Sequence, residues 1–326
     1  MSTGRDAVRQ DLLKWIEQNE GLGLDWFLRE SPFLRESPVA AESASKPMPS
    51  VGATEPAEPA DAGEPATPAT PATPATPVVS PAAVPRVQAN VPPPGPAPEI
   101  KDPVFKAEVE RFVAQTRRLI EEQPARAASQ DPLLAEHGGD PRYALKALQD
   151  LVLPCRQCGL AETRTRVVFG AGSAHARVLF IGEAPGRDED LQGQPFVGAS
   201  GQLLTKIIEA IGFDRRHVFI CNILKCRPPR NRDPQPDEVR QCEPYLKRQL
   251  DIIQPRIICC LGRIAAQTLL GTDLSLGKLR RSVHFYQGIP VMATYHPAAL
   301  LRNPNWKRDT WQDVQRLRAL HDALDS

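Results

Sequence analysis

The chain has 326 residues and a formal net charge of +1 at pH 7, which neither predicts nor excludes binding to nucleic acid. No apolar run reaches the roughly 18 residues of a membrane span, and the amino-terminal residues lack the apolar segment of a signal peptide. We therefore expect a cytoplasmic monomer with no membrane association, whose seven cysteines stay reduced or bind metal.

The amino-terminal third of the chain differs in composition from the rest. Residues 1–37 predict a short helical segment, with Val8, Leu12 and Ile16 on one face at helical spacing. This segment is too small to bury these side chains by itself, so we expect it either to dock on a protein partner or to pack back on the remainder of the chain. Residues 38–100 are rich in alanine, proline and threonine, which predicts a disordered spacer.

A helical lead-in is predicted over residues 101–142, with one helix at 103–122 and a loop at 124–141. Within residues 143–326, short apolar runs alternate with amphipathic segments. The predicted strands are residues 178–181, 218–224, 257–261 and 291–293. The predicted helices are residues 142–152, 201–211, 236–253, 264–270 and 311–324. This alternation predicts a three-layer α/β/α fold, in which helices cover both faces of a mostly parallel central sheet.

The segment 178–204 carries the clearest pattern of a ligand site. Its strand ends at Gly182, and a tight turn over 183–186 places polar groups at the carboxyl end of that strand, where open α/β sheets bind ligands. Residues 187–190 are interpreted as a charged loop, and Phe196 adds an aromatic ring beside it. The small residues 198–201, which include Ser200, precede a helix whose first amides can accept a phosphate. The pattern predicts a site for a flat ligand close to a phosphate.

The cysteines indicate a metal centre. Cys155 and Cys158 form a C-x2-C pair, and Cys226 and Cys242 follow in two later segments. Four thiolates from three segments can form a tetrahedral zinc site or hold a [4Fe–4S] cluster, and their spacing does not separate the two. The other cysteines lie in apolar runs and are expected to be buried hydrophobic residues: Cys221, Cys259 and Cys260.

Four separate motifs closely resemble those of the family 4 uracil-DNA glycosylases, the iron–sulfur branch of the uracil-DNA glycosylase superfamily. They are residues 182–186 with 189–190, residues 195–198, residues 225–232 and residues 296–302. The resemblance extends over about residues 153–324. It implies a [4Fe–4S] cluster with a structural role on Cys155, Cys158, Cys226 and Cys242. It also implies a repair enzyme that flips uracil out of DNA and hydrolyses its N-glycosidic bond, leaving an abasic site.

The resemblance and the chemistry together suggest roles for individual residues in the base site. We expect Phe196 to stack on the flipped base, and the Asn222 amide to pair with the edge of uracil and to reject cytosine. His296 can donate a hydrogen bond to the uracil oxygen on which negative charge develops. Gly182, Ala184 and Asn231 are expected to complete the substrate site. An aspartate occupies the position of Ala184 in another branch of the superfamily. Because alanine cannot activate a water molecule, we expect Glu183 or Glu189 to orient it.

Residues expected to contact DNA lie in two further motifs. Leu300, Leu301 and Arg302 would form a wedge that enters the minor groove. Several basic residues would contact phosphates: Lys225, Arg227, Arg230, Arg232, Arg280 and Arg281. Residues 227–234 contain no histidine for covalent trapping, and no lysine is placed for a Schiff base, so we expect hydrolysis without strand cleavage. The alternative is a non-catalytic iron–sulfur module that binds nucleic acid and is associated with a DNA polymerase or with repair.

Overall fold

The structure, a computed structural model, describes residues 94–123, 129 and 131–325. The predicted amino-terminal helical segment and residues 38–93 of the predicted spacer lie outside the described residues. The helices in chain order are α1 (Pro103–Glu121), α2 (Pro132–Glu136), α3 (Pro141–Val152), α4 (Leu160–Thr163), α5 (Arg187–Gln192), α6 (Ala199–Ala210), α7 (Pro236–Ile253), α8 (Arg263–Leu270), α9 (Leu276–Leu279), α10 (Pro297–Arg302) and α11 (Lys307–Asp325). The strands are β1 (Ala171–Gly172), β2 (Val178–Gly182), β3 (Phe219–Asn222), β4 (Ile257–Leu261), β5 (His284–Tyr286) and β6 (Ile289–Thr294).

The six strands form one sheet in the order β1-β3-β2-β4-β6-β5. The four central strands are parallel to one another, whereas β1 and β5 pair antiparallel at the two edges. The prediction of a mostly parallel sheet is therefore confirmed. The two edge strands were not predicted from the sequence, because segments of two and three residues carry no readable apolar period.

Helices cover both faces of this sheet, as the sequence predicts. Along β2, Leu179 and Ile181 pack into one hydrophobic core, and Val178 and Phe180 pack into the other. This alternation follows from the two-residue period of a strand. The first core is closed mainly by α3, α7 and α8, and the second mainly by α6 and α11. The three-layer α/β/α architecture is thus built on two cores that share the sheet.

Aspartate and proline pairs determine where several helices begin. Asp102, Asp131 and Asp140 accept hydrogen bonds from first-turn amides of α1, α2 and α3, and a proline occupies the next position in each case. Because α2 forms over Pro132–Glu136, the prediction of a loop throughout residues 124–141 is wrong for this part.

Residues 187–190 form the first turn of α5, so the prediction of a charged loop is also wrong. Gly186 precedes this helix, and its amide donates a hydrogen bond of 3.1 Å to the Glu189 carboxylate. Three acidic residues lie in the first turn, where the helix dipole favours negative charge. Capping and charge therefore hold this short helix without the apolar stripe that sequence patterns detect.

The helical lead-in packs on the carboxyl-terminal helix. Arg316 of α11 forms an ion pair of 2.5 Å with Glu108 of α1, and its guanidinium lies 5.3 Å from the centre of the Phe105 ring. Residues 94–100 have no regular secondary structure, and the Gly95 amide donates a hydrogen bond of 2.6 Å to the Gly212 carbonyl. Within the described part of the chain, no helix combines the length and apolar character needed to cross a bilayer.

Candidate active site

Three of the predicted substrate residues converge at the carboxyl ends of β2 and β3. Gly182 and Asn222 are register partners at these strand ends. A methyl group added to Gly182 would lie 2.3 Å from Asn222 Oδ1 and 2.5 Å from Phe196 Cζ. The buried Asn222 Oδ1 atom accepts no hydrogen bond from any described residue. Since a buried carbonyl oxygen without a donor is costly, this atom is suited to accept an N–H from a ligand beside Gly182.

The backbone around Phe196 is held in a strained conformation. Phe196 has a φ of 52°, which a bulky side chain rarely adopts. The Arg215 guanidinium donates hydrogen bonds to the carbonyls of Pro195 and Phe196, at 2.6 and 3.0 Å. A methyl group at Gly201 would lie 1.9 Å from the Phe196 carbonyl oxygen, so α6 approaches this backbone closely. These contacts fix the position of the ring, and strain of this kind is typical of functional sites.

Glu189 binds the loop that carries Phe196. One carboxylate oxygen accepts the amides of Val197 and Gly198 at 2.9 and 3.1 Å, and the other accepts the amide of Gly186. The side chain is buried. With three backbone donors on its two oxygens, this carboxylate is suited to hold the loop in place rather than to orient a water molecule.

Glu183 follows β2 directly and is only partly buried. No described residue donates a hydrogen bond to its carboxylate. Burial and the nearby negative charge of Asp233 raise the pKa of Glu183 to about 7, and Arg263 opposes this increase. Glu183 thus has the free oxygens and the raised pKa that a general base needs near neutral pH. Ala184, the next residue, contributes a methyl group that packs on the first core.

His296 lies two residues after the end of β6 and immediately precedes α10. Its Nδ1 atom accepts the Ala298 amide at 3.1 Å, so in the neutral ring the proton lies on Nε2. Burial, assisted by the charge of Arg302, lowers the pKa of His296 to about 4, so the ring is neutral at physiological pH. Its centre lies 5.5 Å from that of the Phe196 ring. The structure therefore places a neutral N–H donor next to the Phe196 ring of the predicted substrate site.

The segment expected to enter DNA forms the helix α10. Leu300 is fully buried in the second core, so the expectation that its side chain enters the minor groove is wrong. Leu301 and Arg302 are exposed on the same helix. The helical period explains the difference, because adjacent residues of a helix point in different directions.

The basic residues expected to contact phosphates differ in their surroundings. Arg227 is partly exposed and donates a hydrogen bond of 2.7 Å to Asn231 Oδ1. Asn231 is exposed, and this hydrogen bond holds its side chain against Arg227. Arg232 forms two hydrogen bonds with Glu238, which occupy part of its guanidinium. Ser200 is the second residue of α6 and is partly exposed.

The expectation of phosphate contacts is wrong for two of these basic side chains. Lys225 is 1% exposed, and Arg280 is held by Asp313 at 2.6 Å, with its guanidinium 4.3 Å from the centre of the Tyr295 ring. Neither side chain is free to contact a phosphate. Both are positively charged residues in a basic sequence context, and sequence alone does not reveal that they point inward.

The four predicted metal ligands line one cavity: Cys155, Cys158, Cys226 and Cys242. Arg164 donates hydrogen bonds to Cys226 Sγ at 3.1 Å and to the Cys155 carbonyl at 2.5 Å. The Lys225 amide donates to Cys242 Sγ at 3.3 Å. Sequence reasoning missed Arg164, although a basic residue shortly after the C-x2-C pair is a usable signal. As predicted, Cys221, Cys259 and Cys260 are buried in the cores.

The arrangement of these thiols differs from that of a site for one metal ion. Within the described residues, no three Cys, His, Asp or Glu side chains are grouped closely enough to hold a single ion. Four thiolates on one zinc ion would be about 3.8 Å apart, because each lies about 2.3 Å from the metal.

Comparison with known proteins agrees with these features. Residues 169–315 match the family described as the Uracil DNA glycosylase superfamily. The chain is 45% identical to the Type-4 uracil-DNA glycosylase of Archaeoglobus fulgidus, over 53% of this chain and 92% of that protein. It is 44% identical to the Sulfurisphaera tokodaii Type-4 enzyme, over 54% of this chain and 84% of that protein. For the Saccharolobus solfataricus Type-4 enzyme the identity is 43%, over 56% and 87%. The chain therefore belongs to the type-4 uracil-DNA glycosylases of the uracil-DNA glycosylase superfamily.

Proposed function

We propose that this protein flips uracil out of DNA and hydrolyses its N-glycosidic bond, releasing uracil and leaving an abasic site. The observation that carries the proposal is the Asn222 Oδ1 atom, which is buried without a donor beside Gly182 and Phe196. Uracil carries an N–H at N3 that can donate to this oxygen. Cytosine has an unprotonated nitrogen at that position, so it would leave Oδ1 unsatisfied, which is the strongest kind of discrimination against a similar ligand.

His296 is assigned to the leaving group. As the bond to the sugar breaks, negative charge accumulates on the uracil oxygens. A neutral ring with its proton on Nε2 can donate a hydrogen bond to such an oxygen. Because the ring carries no positive charge, its interaction with the substrate before bond breaking is weaker than that with the developing anion. The Ala298 amide on Nδ1 supports this assignment, because it fixes both the tautomer and the orientation of the ring. The donated hydrogen bond strengthens as the charge grows, which is the condition for accelerating the reaction.

Of the two glutamates, we assign the water to Glu183. Its carboxylate has no donor among the described residues, and its raised pKa makes it a competent base near neutral pH. We assign Glu189 a positioning role, because its three amide contacts hold the segment that carries Phe196. Ala184 has no polar atom and contributes packing beside Glu183.

We further propose that Cys155, Cys158, Cys226 and Cys242 hold a [4Fe–4S] cluster. The four thiols on one cavity and the N–H donors directed at two sulfurs support a metal centre, and the similarity to the type-4 enzymes favours a cluster over zinc. When bound, the cluster supplies a structural cross-link between the segment before α4, the segment after β3, and α7. The reaction itself is assigned to the residues at the strand ends.

Contacts with the DNA are assigned to exposed groups around the same edge of the sheet. Leu301 and Arg302 on α10 are the candidates for the wedge, and Arg227 and the first amides of α6, next to Ser200, are the candidates for phosphate contacts. Asn231 would orient Arg227 through their hydrogen bond. Arg232 contributes positive charge while it is paired with Glu238.

A single-turnover assay tests the proposal. Oligonucleotides with uracil opposite guanine, uracil opposite adenine, and uracil in a single strand are incubated with excess protein and then treated with alkali or left untreated. We expect release of free uracil and strand cleavage only after alkali. Binding of the same oligonucleotides without any release of uracil would contradict the proposal and favour the non-catalytic module. Cleavage without alkali would contradict the simple hydrolytic reaction.

A further inference from the structure

Lys225 is a fully buried lysine that none of the roles above explains. Its side chain is 1% exposed, whereas lysine is almost never fully buried unless its charge is paired. No described carboxylate forms an ion pair with it. Its ammonium group instead donates to the main-chain carbonyl of Asn222 at 2.8 Å and to Gln249 Oε1 at 2.6 Å. Burying a charged ammonium group costs free energy, because the group loses its contacts with water, and these two hydrogen bonds offset part of that cost.

The surroundings of Lys225 connect three parts of the molecule. The amide of Gln249, on α7, donates from Nε2 to the Phe169 carbonyl at 2.9 Å, which fixes the acceptor that Lys225 uses. The Lys225 carbonyl accepts the Val168 amide at 2.8 Å. The Lys225 amide donates to Cys242 Sγ at 3.3 Å. One residue therefore attaches the end of β3 to α7 and to the cysteine-lined cavity.

The hydrogen bond from Lys225 to the Asn222 carbonyl links Lys225 to the proposed base site. Asn222 is the last residue of β3, and the next two amides, of Ile223 and Leu224, donate to the carbonyls of Gly182 and Glu183. The chain thus turns away from the sheet directly after Asn222. The Lys225 ammonium group closes this turn on the Asn222 carbonyl by a charge-assisted hydrogen bond, which is stronger than a neutral one.

We propose that Lys225 is a positioning residue for base recognition, which holds the backbone of Asn222 so that its side-chain amide faces the pocket beside Gly182. The inference rests on the proposed function, since it gives Asn222 the role of reading uracil. A misplacement of about 1 Å in a positioning group can reduce a rate about a hundredfold. Methionine at position 225 keeps the apolar length of the side chain and removes the donor.

The test compares Lys225→Met with Lys247→Met as a matched control. Lys247 lies on α7, is exposed and forms an ion pair of 2.9 Å with Glu243, so its replacement should leave the rate unchanged. Iron content per chain and the melting temperature are measured first, and rates are compared for protein of equal iron content. We expect Lys225→Met to remove uracil roughly ten- to a hundredfold more slowly than the parent.

A double-mutant cycle separates positioning from a general structural effect. If Lys225 acts through Asn222, then Lys225→Met should slow the Asn222→Ala variant little or not at all. Fully multiplicative losses, or a parent rate for Lys225→Met, would refute the proposal. Lower iron content with a normal rate per loaded molecule would also refute it, because Lys225 would then serve only the cysteine site.

Gln249 provides a second route if Lys225→Met does not fold. Gln249→Leu removes the acceptor that orients the ammonium group, whereas Gln249→Glu keeps an acceptor there. We expect Gln249→Leu to lose rate, with a smaller loss for Gln249→Glu, and equal rates in both variants and the parent would refute the proposal. Absence of uracil release by the parent would instead overturn the proposed function itself, and the inference with it.

Discussion

Replacing Gly182 by alanine should block the base pocket while leaving the fold intact. Gly182 has an ordinary negative-φ strand backbone, so alanine is permitted there. The added methyl group would lie 2.3 Å from Asn222 Oδ1 and 2.5 Å from Phe196 Cζ, whereas ordinary contact begins at 3.4 Å. At least one of these side chains must therefore move by about 1 Å, or the methyl group occupies space needed by the base.

The size of the effect follows from that displacement. Overpacking a buried site by one methyl group typically costs about 1–3 kcal/mol of folding free energy, which most domains tolerate. The activation barrier should rise by a similar amount, because a displacement of about 1 Å in a positioning group costs roughly a hundredfold in rate, which is about 2.7 kcal/mol. We therefore expect Gly182→Ala to fold, to bind undamaged DNA as the parent does, and to release uracil about a hundredfold more slowly.

Gly277 offers a matched control, because a methyl group added there has no atom within 4 Å. Single-turnover release of uracil is measured for Gly182→Ala, Gly277→Ala and the parent, together with thermal melting and DNA binding. Gly277→Ala should behave as the parent in all three measurements. If folded Gly182→Ala released uracil at the parent rate, the pocket formed by Gly182, Asn222 and Phe196 would not be the base site.

Further predictions concern the remaining groups of the site. His296→Ala should slow uracil release roughly a hundredfold or more with little change in DNA affinity, as for removal of one oxyanion donor, and single-turnover rates and binding measured side by side check this. Asn222→Asp should reduce uracil release and relax the rejection of cytosine, which parallel assays on uracil and cytosine substrates report. Because burial and Asp233 raise the pKa of Glu183 to about 7, its carboxylate form accumulates as pH rises, so the rate should increase with pH around that value. Asp233→Asn should shift this increase to lower pH, and an unshifted profile would contradict the assignment of the titrating group to Glu183. Cys226→Ala should lose iron and melt at a lower temperature, as metal analysis and thermal melting would show, because thiolate ligation of a metal contributes to folding.

The sequence was informative wherever a property depends on near neighbours along the chain. The segment now seen as β4 is apolar throughout, because a central parallel strand is buried on both faces, and its predicted bounds agree with the structure. The helix α7 was predicted with the observed bounds, as one of the amphipathic segments that alternate with apolar runs. Where these local signals were absent, as in α5 and the short edge strands, the prediction failed.

Side-chain direction and strand register were beyond the reach of the sequence. Leu300 and Lys225 occur in motifs that suggest DNA contacts, yet both side chains are buried. The Gly182–Asn222 pair depends on the register of β2 against β3. That register is determined by packing between segments that are far apart in the sequence. The sequence named Glu183 and Glu189 as equal candidates. Only the fold shows that three backbone amides donate to Glu189, whereas no described residue donates to Glu183.

The alternation of the central strands with the longer helices, the choice of the four cysteines that meet at one cavity, and the chemical types at the site were therefore readable from the chain, because each follows from local period or from motif. The contacts made by Glu189, Asn222 and Lys225 were decided by folding. Each depends on atoms of distant segments that meet only when helices pack on the two faces of the sheet. Packing directs one polar side chain inward and leaves another exposed. The order of polar residues along the chain does not predict which of them will be buried.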